Sequence, residues 1–131
     1  HATSLGKVLL AHADSATQNR FLATAPFKAM TDRTVTDQTE MLQVLKEAKR
    51  LGYALGIDEL DYGIASIAVP VFDSEGRAVA AINTSGYSGR LSAEALIEER
   101  LSLLLQASRN ITAKLSQYPV LVKTALTPVG R

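Results

Sequence analysis

Two strand-like runs on either side of a short acidic turn constrain the fold of this chain more than any other feature. Residues 64–72 read Ile-Ala-Ser-Ile-Ala-Val-Pro-Val-Phe, residues 77–86 read Arg-Ala-Val-Ala-Ala-Ile-Asn-Thr-Ser-Gly, and Asp73-Ser74-Glu75-Gly76 separates them. Apolar, branched segments joined by four residues ending in Gly form a β-hairpin. With those four as the loop, Phe72 faces Arg77, Ser66 faces Asn83 and Ile64 faces Ser85. Side chains alternate along a strand, so Ile64, Ser66, Asn83 and Ser85 project to one side. Three small polar groups in an apolar sheet need partners. Ser66 and Asn83 can bond to each other across the strands, or a small polar ligand can supply the partners. A bulge at Gly76 would set Thr84 opposite Ser66 instead, and a one-residue slip turns a strand's faces over.

Composition decides which classes of protein can carry such a hairpin. A chain of 131 residues, 47% of them hydrophobic, is one domain able to bury a core, and no apolar run is long enough to cross a bilayer. Fourteen Lys and Arg against thirteen Asp and Glu give a net charge of +1, which argues against a nucleic-acid surface in this chain. With no cysteine, disulfides, thiolate zinc sites and cysteine nucleophiles are excluded. A cysteine-free chain fits a reducing cytoplasm.

Around the hairpin the chain alternates helix and strand. Leu5, Val8 and Leu9 have the spacing of a buried face on a helix from Ser4 to His12. Ser15 with Gln18 makes a capping box for a short helix through Leu22, and Pro26 closes that region. A polar loop covers Thr31 to Gln38. Asp37 with Glu40 caps a third helix with Leu42, Leu45, Ala48 and Leu51 as its buried stripe and Gly52 as its C-terminal cap. Residues 53–58 form a strand that enters the hairpin through Asp61-Tyr62-Gly63. Ser92 caps a long last helix with the stripe Ile97, Leu101, Leu104, Leu105, Ser108, Ile111 and Leu115, stopped by Tyr118-Pro119. Residues 1–118 are expected to be the domain and 119–131 an extended or disordered tail. The fold class is α/β in the α+β sense, a mainly antiparallel sheet flanked by helices.

Catalytic chemistry finds little support. His1 is terminal and His12 belongs to the surface or boundary of its helix. No nucleophile elbow supports a Ser–His–Asp set. Asp58, Glu59 and Asp61 can be read as a cation cluster or as a turn, and the turn accounts for them. No phosphate loop or dinucleotide fingerprint is present. No catalytic residue, metal ligand or cofactor is therefore assigned.

Several segments, taken in order, resemble the C-terminal effector-binding domain of IclR-family transcriptional regulators. The opening His1-Ala2-Thr3-Ser4-Leu5-Gly6-Lys7-Val8-Leu9-Leu10-Ala11 is similar to the start of that family's pocket helix. Arg50-Leu51-Gly52-Tyr53, Asp58-Glu59, Gly63 and Ala68-Val69-Pro70-Val71 match its second signature, and the turn Asp73-Ser74-Glu75-Gly76, Ser85-Gly86 and Arg90-Leu91-Ser92 agree as well. The matched segments run from His1 to about Leu115. Gly56, Asn83 and Thr84-Ser85-Gly86-Tyr87 look most like the branch that regulates protocatechuate and β-ketoadipate catabolism.

That resemblance implies a GAF-like fold lacking its first strands, in a cytoplasmic protein whose N-terminal winged helix-turn-helix, absent from this chain, would bind DNA. It also implies self-association to a dimer or tetramer. The implied effector-binding residues are Ser4, Leu5, Gly56, Ile64, Ser66, Asn83 and Ser85, of which the hairpin reading had already singled out four. Amides at the start of the first helix suit a carboxylate. The expected effector is a small carboxylic acid such as β-ketoadipate, protocatechuate or 4-hydroxybenzoate. Many relatives carry an acidic residue where this chain has Gly56, and a family Ser position is Asn83 here. Losing that acid removes repulsion toward an anion and leaves room for an effector larger than small oxoacids. Lys7 and Arg33 are the candidates for holding a second carboxylate. Two other classes stay open: an oligomerisation module whose polar sheet face satisfies itself, and a small hydrolase or isomerase.

Overall fold

The computed structural model describes residues 1–126, and the order of elements follows from local stop and start signals. Helix α1 spans Ser4–His12, α2 Ser15–Leu22 and α3 Gln38–Leu51. Strands β1 (Ala54–Ile57), β2 (Ile64–Phe72) and β3 (Ala78–Tyr87) follow, then helices α4 (Ala93–Ser116) and α5 (Pro119–Leu126). Four of the helices begin on a side-chain cap that takes an otherwise orphaned amide: Thr3, Asp14, Asp37 and Ser92. At the start of α2 the cap is Asp14, not Ser15. The Gln18 amide instead reaches back to the Leu10 carbonyl at 2.8 Å and so joins α2 to the end of α1. Gly52 ends α3 at φ 79°, a left-handed conformation that a side chain would resist.

The three strands form one antiparallel sheet in the order β1-β2-β3. The hairpin register differs from the four-residue reading by two. Ser66 pairs with Ser85, Ala68 with Asn83 and Ile64 with Tyr87. One residue of the difference comes from the loop. Asp73 accepts the Glu75 and Arg77 amides on its carboxylate, each at 2.9 Å, and its own amide bonds to the Arg77 carbonyl, so Arg77 belongs to the connection. The other is a bulge: Val71 pairs with Ala80 and Phe72 with Ala78, leaving Val79 unmatched. An even displacement keeps every side chain on its expected face, so Ile64, Ser66, Asn83 and Ser85 still share one.

Each face of the sheet has its own helical layer. On one, Ala54 and Ala68 pack with Val8 and Ala11 of α1 and Met41, Leu45 and Ala48 of α3. On the other, Ala65, Ile67 and Val69 pack against Leu96 and Leu104 of α4, and Ser108 Oγ donates to the Pro70 carbonyl at 2.6 Å. The helix stripes shift slightly from expectation. Ser4, Lys7, Val8 and Ala11 are the buried positions of α1 while Leu9 is exposed; Met41 replaces Leu51 in the α3 stripe; Leu96 heads that of α4, with Ile111 exposed. Residues 119–126, expected as tail, continue as α5, because a proline that stops one helix is well suited to the first turn of the next. Residues 127–131 of that expected tail lie outside the described residues.

Leu45 is buried between α3 and the sheet, so Leu45→Ala is expected to cost about 2–5 kcal/mol in urea denaturation. Leu103→Ala, at a position 62% exposed, should stay within about 0.5 kcal/mol.

Candidate functional site

Small residues let a helix start come down onto the sheet. Gly56, Ser66 and Ser85 are register partners across the three strands and form a row of short side chains. The N-terminus of α1 sits above it. A Cβ on Gly56 would stand 3.2 Å from Ser66 Oγ and 3.4 Å from the Ser4 amide nitrogen, so glycine is what permits the close approach. Thr3 Oγ1 takes the Gly6 amide at 3.0 Å and the Thr3 carbonyl takes that of Lys7. Among the described residues nothing accepts from the Ser4 and Leu5 amides, which remain as donors at the positive end of the helix.

Between this helix start and the sheet lies a cavity of about 280 Å³, lined by Ala2, Thr3, Ser4, Leu5, Gly56, Glu59, Leu60, Ile64, Ser66, Asn83 and Ser85. All seven residues named from the sequence line it. Ser66 and Asn83 do not bond to one another, because the register sets them on neighbouring rows. Ser66 Oγ instead donates to Ser4 Oγ at 2.8 Å, and both residues are buried. Ser4 thereby keeps its own hydroxyl proton to donate. The side chains of Asn83 and Ser85 make no hydrogen bond to any described residue, and because both are exposed to solvent only Ser66 of the three polar groups needs a protein partner. Lys7 and Arg33, the candidates for a second carboxylate, do not line the cavity.

Lys7 is committed elsewhere. Its ammonium group is buried, pairs with Glu59 Oε2 and donates to the Leu55 carbonyl at 3.1 Å. Glu59 brings to the cavity a carboxylate that the sequence reading assigned to a turn. The absence of an acid at Gly56 therefore does not leave the cavity without one. The detectable signal was Lys7 itself: it lies three residues after Ser4 and four before Ala11, on the buried face of α1, where a charge needs a counter-charge. Ala2, Thr3 and Leu60 carried no signal beyond adjacency.

The loop that carries Glu59 is tied down by its neighbours. Thr34 Oγ1 donates to the Glu59 carbonyl and Thr31 Oγ1 to that of Asp58, both at 2.6 Å. Asp58 has a positive φ of 55° and accepts from Ser88 Oγ at 2.6 Å and from the Gly63 amide at 2.8 Å. The Ser88 hydroxyl, then the Gly63 amide, hold its carboxyl below the usual carboxylate range. Asp61 turns to the Tyr62 amide. The three acids thus go to three separate partners, and no metal-holding cluster of His, Cys, Asp or Glu occurs among the described residues. Neither histidine lines the cavity: His1 stacks on Phe27 and His12 bonds to the Val8 carbonyl.

An antiparallel sheet covered on both faces, with a cavity under the start of one helix, defines an α+β domain. The family model for the C-terminal domain of bacterial IclR transcriptional regulators matches residues 1–113, and this chain belongs to that family. The Pca regulon regulatory protein of Pseudomonas putida is 35% identical over 115 residues, covering 88% of this chain and 40% of the relative. The p-hydroxybenzoate hydroxylase transcriptional activator of Acinetobacter baylyi is 33% identical over 85% of this chain and 41% of its own length. The chain thus spans well under half the length of these relatives. Among solved structures, the inducer-binding domain of a PobR double mutant from Acinetobacter, in complex with 3-hydroxybenzoic acid, aligns at a TM-score of 0.80 with 33% identity, over 86% of this chain and 66% of that one. The C-terminal domain of Escherichia coli KdgR aligns at 0.79 with 36% identity, over 88% and 70% respectively. No described helix is long and apolar enough to cross a membrane.

Two outcomes test this geometry. Lys7→Met leaves Glu59 buried without its cation and is expected to cost about 3–5 kcal/mol, most of it recovered in Lys7→Met/Glu59→Leu. Because Asp58 is charged in its hydrogen-bonded state and its pKa is depressed, its bonds persist as pH falls through the ordinary carboxylate range and break only below it. The NMR shift of the Gly63 amide proton should titrate with a midpoint below about 3.9, and Ser88→Ala should raise that midpoint.

Proposed function

We propose that this chain is the effector-sensing domain of a bacterial transcriptional regulator of aromatic-acid catabolism, and that its cavity binds a small carboxylic acid. The observation that carries this is convergence. Ser4 and Leu5, whose amides are unpaired, line one cavity together with Ser66 and the solvent-exposed Asn83 and Ser85, and the rest of its wall combines Leu60 and Ile64 with Ala2, Thr3, Gly56 and Glu59. A carboxylate at the α1 start would meet backbone donors and a favourable dipole, with its carbon skeleton against the apolar wall. The relatives named for Pca and p-hydroxybenzoate regulation, and the PobR complex with 3-hydroxybenzoic acid, support the chemical class. Occupancy would bias the arrangement of protomers in a dimer or tetramer, and so of winged helix-turn-helix modules outside this chain, in the cytoplasm where the DNA is.

A second reading has its own observation. Ser66 is satisfied by Ser4 without any ligand, and Leu103, Val120 and Leu121 are exposed on α4 and α5. Those features suit an assembly module, in which no acid would raise the melting temperature.

Isothermal titration with β-ketoadipate, protocatechuate and 4-hydroxybenzoate separates the two. One of these acids is expected to bind saturably, and Ser66→Ala/Asn83→Ala should weaken it by about tenfold or more. Gly56→Asp, which places a carboxylate beside the Ser4 amide, is expected to weaken binding by at least a similar factor; unchanged affinity would remove the anion from this end of the cavity.

A further inference from the structure

We propose that a groove between the end of α3 and the C-terminal half of α4 is a second binding site, suited to an amphipathic anion with one acidic head on an apolar body. The groove exists because the strands differ in length. β1 begins at Ala54, opposite Ala68, whereas β2 runs on to Phe72, so Pro70 and Phe72 have no strand beside them on that edge. Proline offers no amide to an absent neighbour, and its carbonyl is taken by Ser108 Oγ at 2.6 Å. At Pro70 the edge therefore needs no further strand. A space of about 560 Å³ stays open beside it, a size ordinary for small-molecule sites. The cavity under α1 is about 280 Å³, and no residue lines both.

The groove offers two kinds of contact. Leu51, Phe72, Leu105 and Ala113 line it together with the buried Pro70, and this part is apolar. Lys49 and Arg50 of α3 and Arg109 of α4 also line it, and no Asp or Glu does. Arg50 is held by Glu47. The Lys49 and Arg109 side chains make no hydrogen bond or ion pair among the described residues. Lys49 lies in the last turn of α3, where it offsets the helix dipole; Arg109, in the interior of α4, has no such task. A neutral apolar ligand would leave both cations as they are, and a cationic one would meet like charge. An anion on an apolar body answers both parts, its body against the apolar residues and the aliphatic stems of Lys49 and Arg109, its charge at their heads.

The test is fluorescence titration of the 131-residue chain with two probes that share an apolar skeleton. One is 8-anilinonaphthalene-1-sulfonate, the other its uncharged counterpart N-phenyl-1-naphthylamine. The sulfonate is expected to bind saturably at a single site. In ¹H–¹⁵N spectra it should shift the Gly52, Ser108, Thr112 and Ala113 amides and leave those of Ser4 and Leu5 in place. Lys49→Gln/Arg109→Gln, at two exposed positions, should weaken the sulfonate about fivefold or more and change the neutral probe by about twofold or less. Ala113→Trp, which fills the groove from an exposed position on α4, should abolish binding of both probes while the circular dichroism spectrum and melting temperature stay those of the parent. Absence of saturable sulfonate binding, equal weakening of both probes in the charge variant, sulfonate affinity unchanged in it, or shifts confined to Ser4 and Leu5 each overturns the site. None of these outcomes bears on the cavity under α1, whose titration with carboxylic acids is independent.

Discussion

The buried pairing of Lys7 with Glu59 is the contact on which the arrangement of the site depends. It joins three things that are distant in sequence: helix α1, the loop after β1, and the Leu55 carbonyl within β1. A buried ion pair seldom adds much net stability, because desolvation of both groups offsets their attraction. What it supplies here is position. The ammonium can meet the carboxylate and the carbonyl together only when the start of α1 lies across β1, and that placement puts the Ser4 amide over Gly56.

From that placement the cavity follows as a matter of side-chain length. Gly56, Ser66 and Ser85 form a row too short to fill the space beneath the helix, while the adjacent row, with Ala54 and Ala68, closes into the core with Val8 and Ala11. The hydroxyls and amides at the edge of this space cannot all satisfy one another. Ser66 and Ser4 do so; two helix amides and one glutamate oxygen do not, and Asn83 and Ser85 are exposed to solvent instead. The polar groups left over mark out the site more sharply than its volume does.

Much of this was legible in the residues, for reasons that differ from element to element. Capping chemistry is local, so Asp37, Gly52 and Ser92 bounded their helices correctly, whereas Asp14 and Ser15 both qualify as caps and only the chain's path favours Asp14. The faces of the hairpin were readable because the alternation of strand side chains survives an even change of register. The exact partners were not, since the bulge at Val79 and the capture of Arg77 by Asp73 depend on hydrogen bonds that composition does not announce. Glu59 was hidden for a different reason. A glutamate between two aspartates at a strand end looks like a turn, and only the burial of a lysine on another element, 52 residues away, makes it part of the interior.

The bulge has a consequence for how such a binding surface can change over time. Parity, not length, is what the β2–β3 connection conserves: one extra residue in the loop and one in the strand cancel, and the wall of the cavity is unaltered. A single insertion without its counterpart would bring Ile82 and Thr84 to the cavity and turn Asn83 and Ser85 toward α4. Hairpins of this kind can therefore drift in length by compensated steps while the chemistry they display stays constant, so the recognised molecule and the length of the turn can evolve almost independently.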